Sequence, residues 1–507
     1  MRLPRAAAAL PLLLALAGCA ETGELLPTCT EGRSRCVAQV SVGARFACAA
    51  LLDRTVWCWG RNDEGQLGYP TTELCAVETA PGQTRQVACH TFPFQVNDLD
   101  HVTRVAAGDG FACALRDDGT VRCWGGNAAG QLGTGGTAAS PRPAAVRGLS
   151  GVSAIAVGAR HACALAGGRV SCWGANDRGQ LGRAPGARRC ETLDGMVACA
   201  PDPAPVEGLV EVTAITAGAA HTCARTSDGF AVCWGDARYG QLGGGEASGE
   251  PGPTPRSTLD GELPLFDVAE IAAGAWHTCA RHAAGHLWCW GRDDHRELGS
   301  EAPTPTPKGC ASACATRATP VDGYAAPPMD AGLGDAAVED DAGETSDASD
   351  AGRVDARSDA RSDGAGGVPR NDAAREDVFD AAVDGADDVA EELPPVVVPT
   401  PRAVTAGGTF SCALLSDGTV RCWGDATDAQ LGDGRRVRDP QPPSVVIATP
   451  GAARNNPLQG VTAVSAGAAS ACALLADKSL RCWGSNQAGA LGNGNVNPQS
   501  GPVPVTW

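Results

Sequence analysis

Lysine is nearly missing from this chain of 507 residues: Lys308 and Lys478 are the only two. No basic stripe with interleaved aromatics runs along any segment, so the electrostatic footprint of a nucleic-acid binder is not there. Also missing are Gly-x-Ser-x-Gly, the Walker loop, His-Glu-x-x-His and the dinucleotide fingerprint. Paired carboxylates cluster in one acidic segment alone. The expected catalytic set is therefore empty, and no cofactor is expected. Calcium finds no EF-hand loop, and zinc finds no Cys-x-x-Cys pair with a second pair at ligand spacing. After residue 17 no apolar run approaches the ~20 residues of a membrane span.

What the chain has is repetition. Residues 108–133, GDGFACALRDDGTVRCWGGNAAGQLG, hold two cysteines, then Trp-Gly, then Gly-Gln-Leu-Gly. The pattern returns with its second cysteine at Cys58, Cys123, Cys172, Cys233, Cys289, Cys422 and Cys482, each followed by Trp-Gly. Seven copies of one unit mean a repeat architecture.

Around each cysteine pair, short apolar runs flank a Gly or Asp turn, as in CALRDDGTVRC, which is hairpin chemistry. If Cys113 faces Cys123, the loop is Asp117, Asp118 and Gly119. Glycine then sits where a type I turn followed by a left-handed residue needs it. Ser227-Asp228-Gly229 and Ser416-Asp417-Gly418 repeat the arrangement. Between Cys163 and Cys172 one residue is lost, and the loop becomes Gly167-Gly168, suited to a two-residue turn with positive φ twice. The deletion is matched by a change of turn type that keeps the cysteines opposed. Opposed residues of an antiparallel pair lie about 4.5–5.5 Å apart at Cα, within reach of a disulfide. Buried free thiols are the other use of such pairs.

Before each hairpin runs another strand, such as 152–158, and after each Gly-x-Leu-Gly comes a Pro-punctuated loop, often with a short Pro-Val strand such as 203–206. Three to four short strands per unit, seven units and 66 glycines predict an all-β, seven-bladed β-propeller. The last residues, PVPVTW, repeat the Pro-Val strand; one place for it is near the first strand, 37–42, where it would close the ring, and the sequence does not fix which blade owns it.

The unit resembles the regulator of chromosome condensation repeat, a family of seven-bladed propellers, in its Gly-x-x-His-x-x-Ala-Leu, Gly-x-Val-x-x-Trp-Gly and Gly-Gln-Leu-Gly signatures. The resemblance covers roughly residues 37–305 and 401–507, and the two-cysteine variant looks like the exported bacterial form. The family includes a nuclear guanine-nucleotide exchange factor, an activity that export argues against here. It also includes a plant ultraviolet photoreceptor with clustered Trp, whose motif only Trp276 in GAWHTC matches, so that role is not carried over.

Residues 1–18 hold Arg2, Arg5 and an apolar run over 6–17, then Leu16-Ala17-Gly18 before Cys19. This reads as a signal peptide. Its ending resembles a bacterial lipobox, which implies cleavage before Cys19 and acylation of the thiol. The expectation is a lipid-anchored protein of the cell envelope, in the outer membrane or at the cell surface, with a tether over 19–36.

Export fits the cysteine count. Of 23 cysteines, Cys19 carries lipid, and fourteen form the hairpin pairs Cys48/Cys58, Cys113/Cys123, Cys163/Cys172, Cys223/Cys233, Cys279/Cys289, Cys412/Cys422 and Cys472/Cys482. The other eight fall into local pairs, Cys29/Cys36, Cys75/Cys89, Cys190/Cys199 and Cys310/Cys314. Nothing is left over, as an oxidised exported protein should show. The last three pairs stiffen the loops after repeats one, three and five, so these loops should project from one face. Phe92, Phe94 and Met196 are their bulky candidates for contact.

Between repeats five and six lies an insert, placed at 306–400 with Pro-rich edges. Residues 320–392 carry 21 acids against five arginines, −16 of the chain's −18, and argue for disorder. The propeller, at 37–305 and 401–507, is thus nearly neutral.

His161, His221 and His277 occupy a slot that holds Phe46, Phe111, Phe410 and Ser470 in the other copies, so packing is their expected role. His282 and His286 face each other across the loop 283–285 and are the metal candidates, with His295 or Asp294 nearby. An exposed tip with two polar residues explains them without a metal. The functional expectation is an extracytoplasmic scaffold that binds an envelope or extracellular protein or glycan through loops on one face. An inhibitor or accessory module of a secreted enzyme, or a structural surface lipoprotein, is the alternative.

Overall fold

The computed structural model describes residues 35–80, 83–248, 252–300, 306–307, 309–324, 399–439, 441–453 and 455–507. The expected signal peptide, Cys19, Cys29 and the acidic stretch 325–398 lie outside them.

Seven antiparallel sheets follow one another along the chain, over 37–95, 102–145, 152–205, 212–257, 268–320, 401–445 and 461–504. Each is a blade of four strands taken in sequence order. In blade two these are Val102–Ala107, Phe111–Arg116, Val121–Gly125 and Ser140–Ala145. Blades one and three add a fifth strand, Leu74–Ala80 and Arg189–Thr192. A bulge in the first strand pair, between Val102 and Arg104 in blade two, recurs in all seven and sharpens the twist. The second strand is almost wholly buried because a neighbouring blade covers each side, which explains its continuous apolar run.

Within each hairpin the cysteines are in register. Cys113 pairs with Cys123 at a Cα separation of 4.1 Å, the narrow spacing of a non-hydrogen-bonded pair, and the two are bridged. The other six hairpins repeat this. Gly119 takes φ +73° in its three-residue loop, and Gly167 and Gly168 take +54° and +75° in the two-residue one. Cys36 is also disulfide-bonded.

Blades are joined by tryptophan. All seven indoles of Cys-Trp-Gly are fully buried. Each Nε1 donates to the carbonyl just before the Leu-Gly of the turn in the blade before, as Trp124 does to Gln66 and Trp173 to Gln131, both at 2.9 Å. Trp59 of blade one donates to Ala490 of blade seven, also at 2.9 Å. At about 25 cal/mol per Å² and 150–250 Å² per side chain, each indole contributes roughly 4–6 kcal/mol of burial.

The ring closes by packing and not by a shared strand, which answers the question of which blade owns PVPVTW. Gln499–Pro504 pairs with Leu480–Gly484 inside blade seven, because that blade, like the others, supplies its own fourth strand. Trp507 then sets its edge against Trp57 and Trp59 of blade one, each with ring centroids 6.1 Å away. The boundary at 305 is corrected. Cys314–Pro320 is the fourth strand of blade five, paired with Leu287–Arg292. Ala315 and Ala318 pack in the clusters of Trp423 and Trp290, and Val321 and Tyr324 are buried beyond them.

Candidate binding face

Seven glycines end the seven first strands: Gly43, Gly108, Gly158, Gly218, Gly274, Gly407 and Gly467. A Cβ on any one of them would strike the carbonyl oxygen of the next, and Gly467 faces Gly43 in the same way. Close approach, not a left-handed backbone, demands glycine here. The ring lines a shallow central depression of about 260 Å³, walled by valine, alanine and Asp109.

The stapled loops rise beside this mouth. Cys89 pairs with Arg61, Cys199 with Ala175 and Cys314 with Arg292, and each partner is the residue after Cys-Trp-Gly. Those residues in turn bond the loops next to the central glycines: Arg61 to Arg45, Ala175 to Arg160 and Arg292 to Trp276. Equivalent register puts all three staples on the same face of the disc. Cys75–Cys89, Cys190–Cys199 and Cys310–Cys314 are bridged, with Cα atoms 5.8, 5.9 and 6.3 Å apart. The hairpin of blade three carries the strand beyond the sheet edge and ends in Leu193, fully exposed, and Met196, 63% exposed. Leu74, in the blade-one staple, is 62% exposed.

Three arginine–carboxylate pairs stand on this face. Arg61 binds Asp63, Arg160 binds Asp194 at 2.8 Å, and Arg292 binds Asp294 at 2.6 Å. Burial, with Asp63 and Asp109 nearby, pushes the Glu64 carboxyl up. Between blades four and five, Tyr239 and Trp276 meet edge-on at 5.7 Å. Arg238 lies 5.6 Å from the Trp276 ring and Arg292 lies 5.5 Å from that of Tyr239. The buried carboxylate of Asp236 holds Arg238 at 2.6 Å. Trp276 thus faces an arginine–tyrosine pair across the blade boundary.

The RCC1-like domain matches residues 14–336, and the RCC1 repeat matches 402–430 and 461–490. The chain belongs to the RCC1 family. It is 30% identical to the Ultraviolet-B receptor UVR8 of Arabidopsis thaliana over 304 residues, 51% of this chain and 66% of the receptor. It is 29% identical to the human E3 ubiquitin-protein ligase HERC2 over 276 residues, 52% of this chain and 5% of the ligase. The chain therefore spans less than two thirds of either relative. Human WBSCR16 is similar in structure, with a TM-score of 0.61 at 20% identity, covering 89% of this chain and 94% of that one. Yeast RCC1 (Prp20), solved bound to Kap60, gives 0.58 at 21% identity, covering 85% and 78%. At such identities the likeness is one of fold.

The remaining sequence candidates fall elsewhere in this RCC1-family propeller. Phe92 and Phe94 are half-exposed but serve the rim. Phe92 lies against Gly494 of blade seven, and Phe94 packs tilted against Tyr69, ring centroids 4.8 Å apart. His282 and His286 do stand together, ring centroids 5.8 Å apart, over Trp288 and beside Phe266. Nδ1 of His282 already accepts from the Ala284 amide at 3.1 Å, and its Nε2 faces Asp267 at 3.9 Å. Among the described residues this tip does not bring three ligand atoms within 4.8 Å of one another. Their tip lies on the opposite face from the staples. Leu74 and Leu193 escaped sequence reading because nothing in a lone leucine marks a protruding hairpin.

Proposed function

We propose that this propeller is a lipid-anchored, extracytoplasmic scaffold that binds a protein or glycan of the cell envelope through its stapled face. The observation that carries this reading is the shared register of the three staples. Three separate repeats each carry, beyond the hairpin bridge, a disulfide with one cysteine at the same register beside the central mouth. A bridged hairpin is already ordered, so less entropy is lost when it meets a partner. Exposed Leu74, Leu193 and Met196 supply apolar contact on that ordered frame. Export and anchoring rest on residues 1–19 and on the even count of cysteines left after Cys19. The role is binding rather than catalysis. HERC2, named as a ligase, matches over 5% of its length, so ligase chemistry is not transferred with the match.

Two variants test the reading. Cys19→Ser should lose labelling by radioactive palmitate and leave the membrane fraction; label retained on that variant contradicts the anchor. Leu193→Asp with Met196→Asp should abolish capture of the envelope partner, while Leu263→Asp on the far face should not. Equal capture by both contradicts the assigned face.

A further inference from the structure

The staple of blade one differs from the other two in its surroundings. Cys75 and Cys89 are buried, and the carboxylate of Glu73 stands beside both. One ligand-type atom from each of the three lies within 4.8 Å of the others, the one such trio of His, Cys, Asp or Glu among the described residues. Glu73 is held in place: Oε1 accepts from the Thr91 hydroxyl at 3.0 Å and Oε2 from the Thr91 amide at 3.4 Å. His90 stands alongside, with Nε2 3.9 Å from Glu73 Oε2. Its Nδ1 lies 2.7 Å from the Phe92 carbonyl. A carbonyl only accepts, so Nδ1 carries the proton and Nε2 of the neutral ring offers a lone pair. Ligating histidines are oriented in this way, the second nitrogen tied to a carbonyl.

We propose that opening the Cys75–Cys89 bridge converts this cluster into a zinc site. A dithiol reductant gives two electrons and two protons to the disulfide. The S–S bond breaks, two thiols form, and the reductant closes its own disulfide. Zinc then displaces both thiol protons and takes Sγ of Cys75, Sγ of Cys89 and a carboxylate oxygen of Glu73. His90 Nε2 or a water completes the four-coordinate shell. While the bridge is closed neither sulfur is a thiolate, and the site is shut to the metal. The loop is thus stapled by a disulfide under oxidising conditions and by a metal under reducing ones, so Leu74–Ala80 and Gln83–Gln95 stay joined in both. Among the described residues the staples of blades three and five have no third ligand, so the second state belongs to blade one.

The test uses the whole mature chain, opened with a dithiol and then freed of it without air. Alkylation and peptide mass spectrometry verify that Cys75 and Cys89 are reduced. Zinc is titrated against a chromophoric chelator, and cobalt(II) is added separately for its thiolate charge-transfer absorption. The opened wild type should bind one zinc more than the Cys75→Ser/Cys89→Ser protein treated alike, and should alone show the added thiolate–cobalt band. Glu73→Gln should weaken that zinc by about tenfold or more. Equal zinc binding by wild type and the double serine variant overturns the proposal, as does unchanged affinity in Glu73→Gln. Where the double variant fails to fold, judged by near-ultraviolet circular dichroism of the buried indoles, the Glu73→Gln comparison decides.

Discussion

His161 and Thr222 meet across the boundary of blades three and four, Nε2 to Oγ1 at 2.9 Å, both fully buried. Thr222 spends its own proton on the Gln180 carbonyl at 2.9 Å, so it accepts from His161, and the imidazole proton sits on Nε2. His221 with Thr278 and His277 with Ser411 repeat the contact at 2.9 and 2.7 Å, and each hydroxyl again turns to the carbonyl of the preceding turn. Where a blade offers phenylalanine in this slot, the next offers alanine: Phe46 with Ala112, Phe111 with Ala162, Phe410 with Ala471. The boundary between blades seven and one sets Ser470 against Ala47. Imidazole is never set against alanine, nor phenylalanine against a hydroxyl.

Thr222→Ala should therefore destabilise the propeller by about 1–3 kcal/mol, because it strands a buried N–H. Adding His161→Phe should restore most of the loss by recreating the phenylalanine–alanine pair of other blades. Urea denaturation of the two single variants and the double one measures the coupling; additive losses would contradict the pairing.

Acid should weaken the same boundaries. Burial holds the imidazoles of His161, His221 and His277 down at about 3, 4 and 3. The unfolded chain takes up those protons near pH 6.5 and the folded chain does not. Stability is complete above that pH and falls as pH drops toward 4, by up to ~1.4 kcal/mol per pH unit for each histidine. Replacing the three histidines with phenylalanine and their partners with alanine should flatten the denaturation midpoint between pH 6.5 and 4.5.

Glu297 occupies the place of glutamine in the Gly-Gln-Leu-Gly turn, where it accepts from the His295 amide at 2.8 Å. Burial raises its carboxyl to about 8. A raised acid favours the folded state at low pH and costs stability as pH climbs from about 4.5 to 8. Glu297→Gln should thus stabilise by roughly 2–4 kcal/mol at pH 8.5 and change little at pH 4.5, read from thermal midpoints at the two values.

How far these features can be read from sequence depends on how far apart the partners lie. Hairpin register, the Asp-Asp-Gly and Gly-Gly turns and the opposed cysteines are written within ten residues of one unit, and the structure has them as the spacing implies. The His161–Thr222 contact joins residues 61 apart in successive units, and inspection of one repeat at a time hides it. Its signal was nonetheless present: histidine in copies three to five, a hydroxyl one position later in copies four to six. Trp276 showed as an isolated aromatic because Arg238 and Tyr239 belong to the previous unit. The fourth strand of blade five hides in the sequence because prolines surround it, although its alanines suit a packed edge. Ring closure stays open in the sequence because a repeated Pro-Val segment does not say which blade it completes.

Each hairpin bridge should be found by peptide mapping without reductant, including the nine-residue spacing of Cys163 and Cys172. Replacing that pair with alanines should cost about 2–3 kcal/mol, the loop-closure value for a ring of this size. Free thiols at these positions in protein from the oxidising compartment would contradict the export reading.

The most direct test of the binding face is photo-crosslinking in intact envelopes, with a benzophenone side chain placed singly at Leu193 and at Leu263. Both positions are open, fully at Leu193 and 70% at Leu263, and they lie on opposite faces. A discrete adduct from position 193 and none from 263 is the predicted result. An adduct from 263 alone, or from neither, would contradict a binding face built on the disulfide-stapled loops.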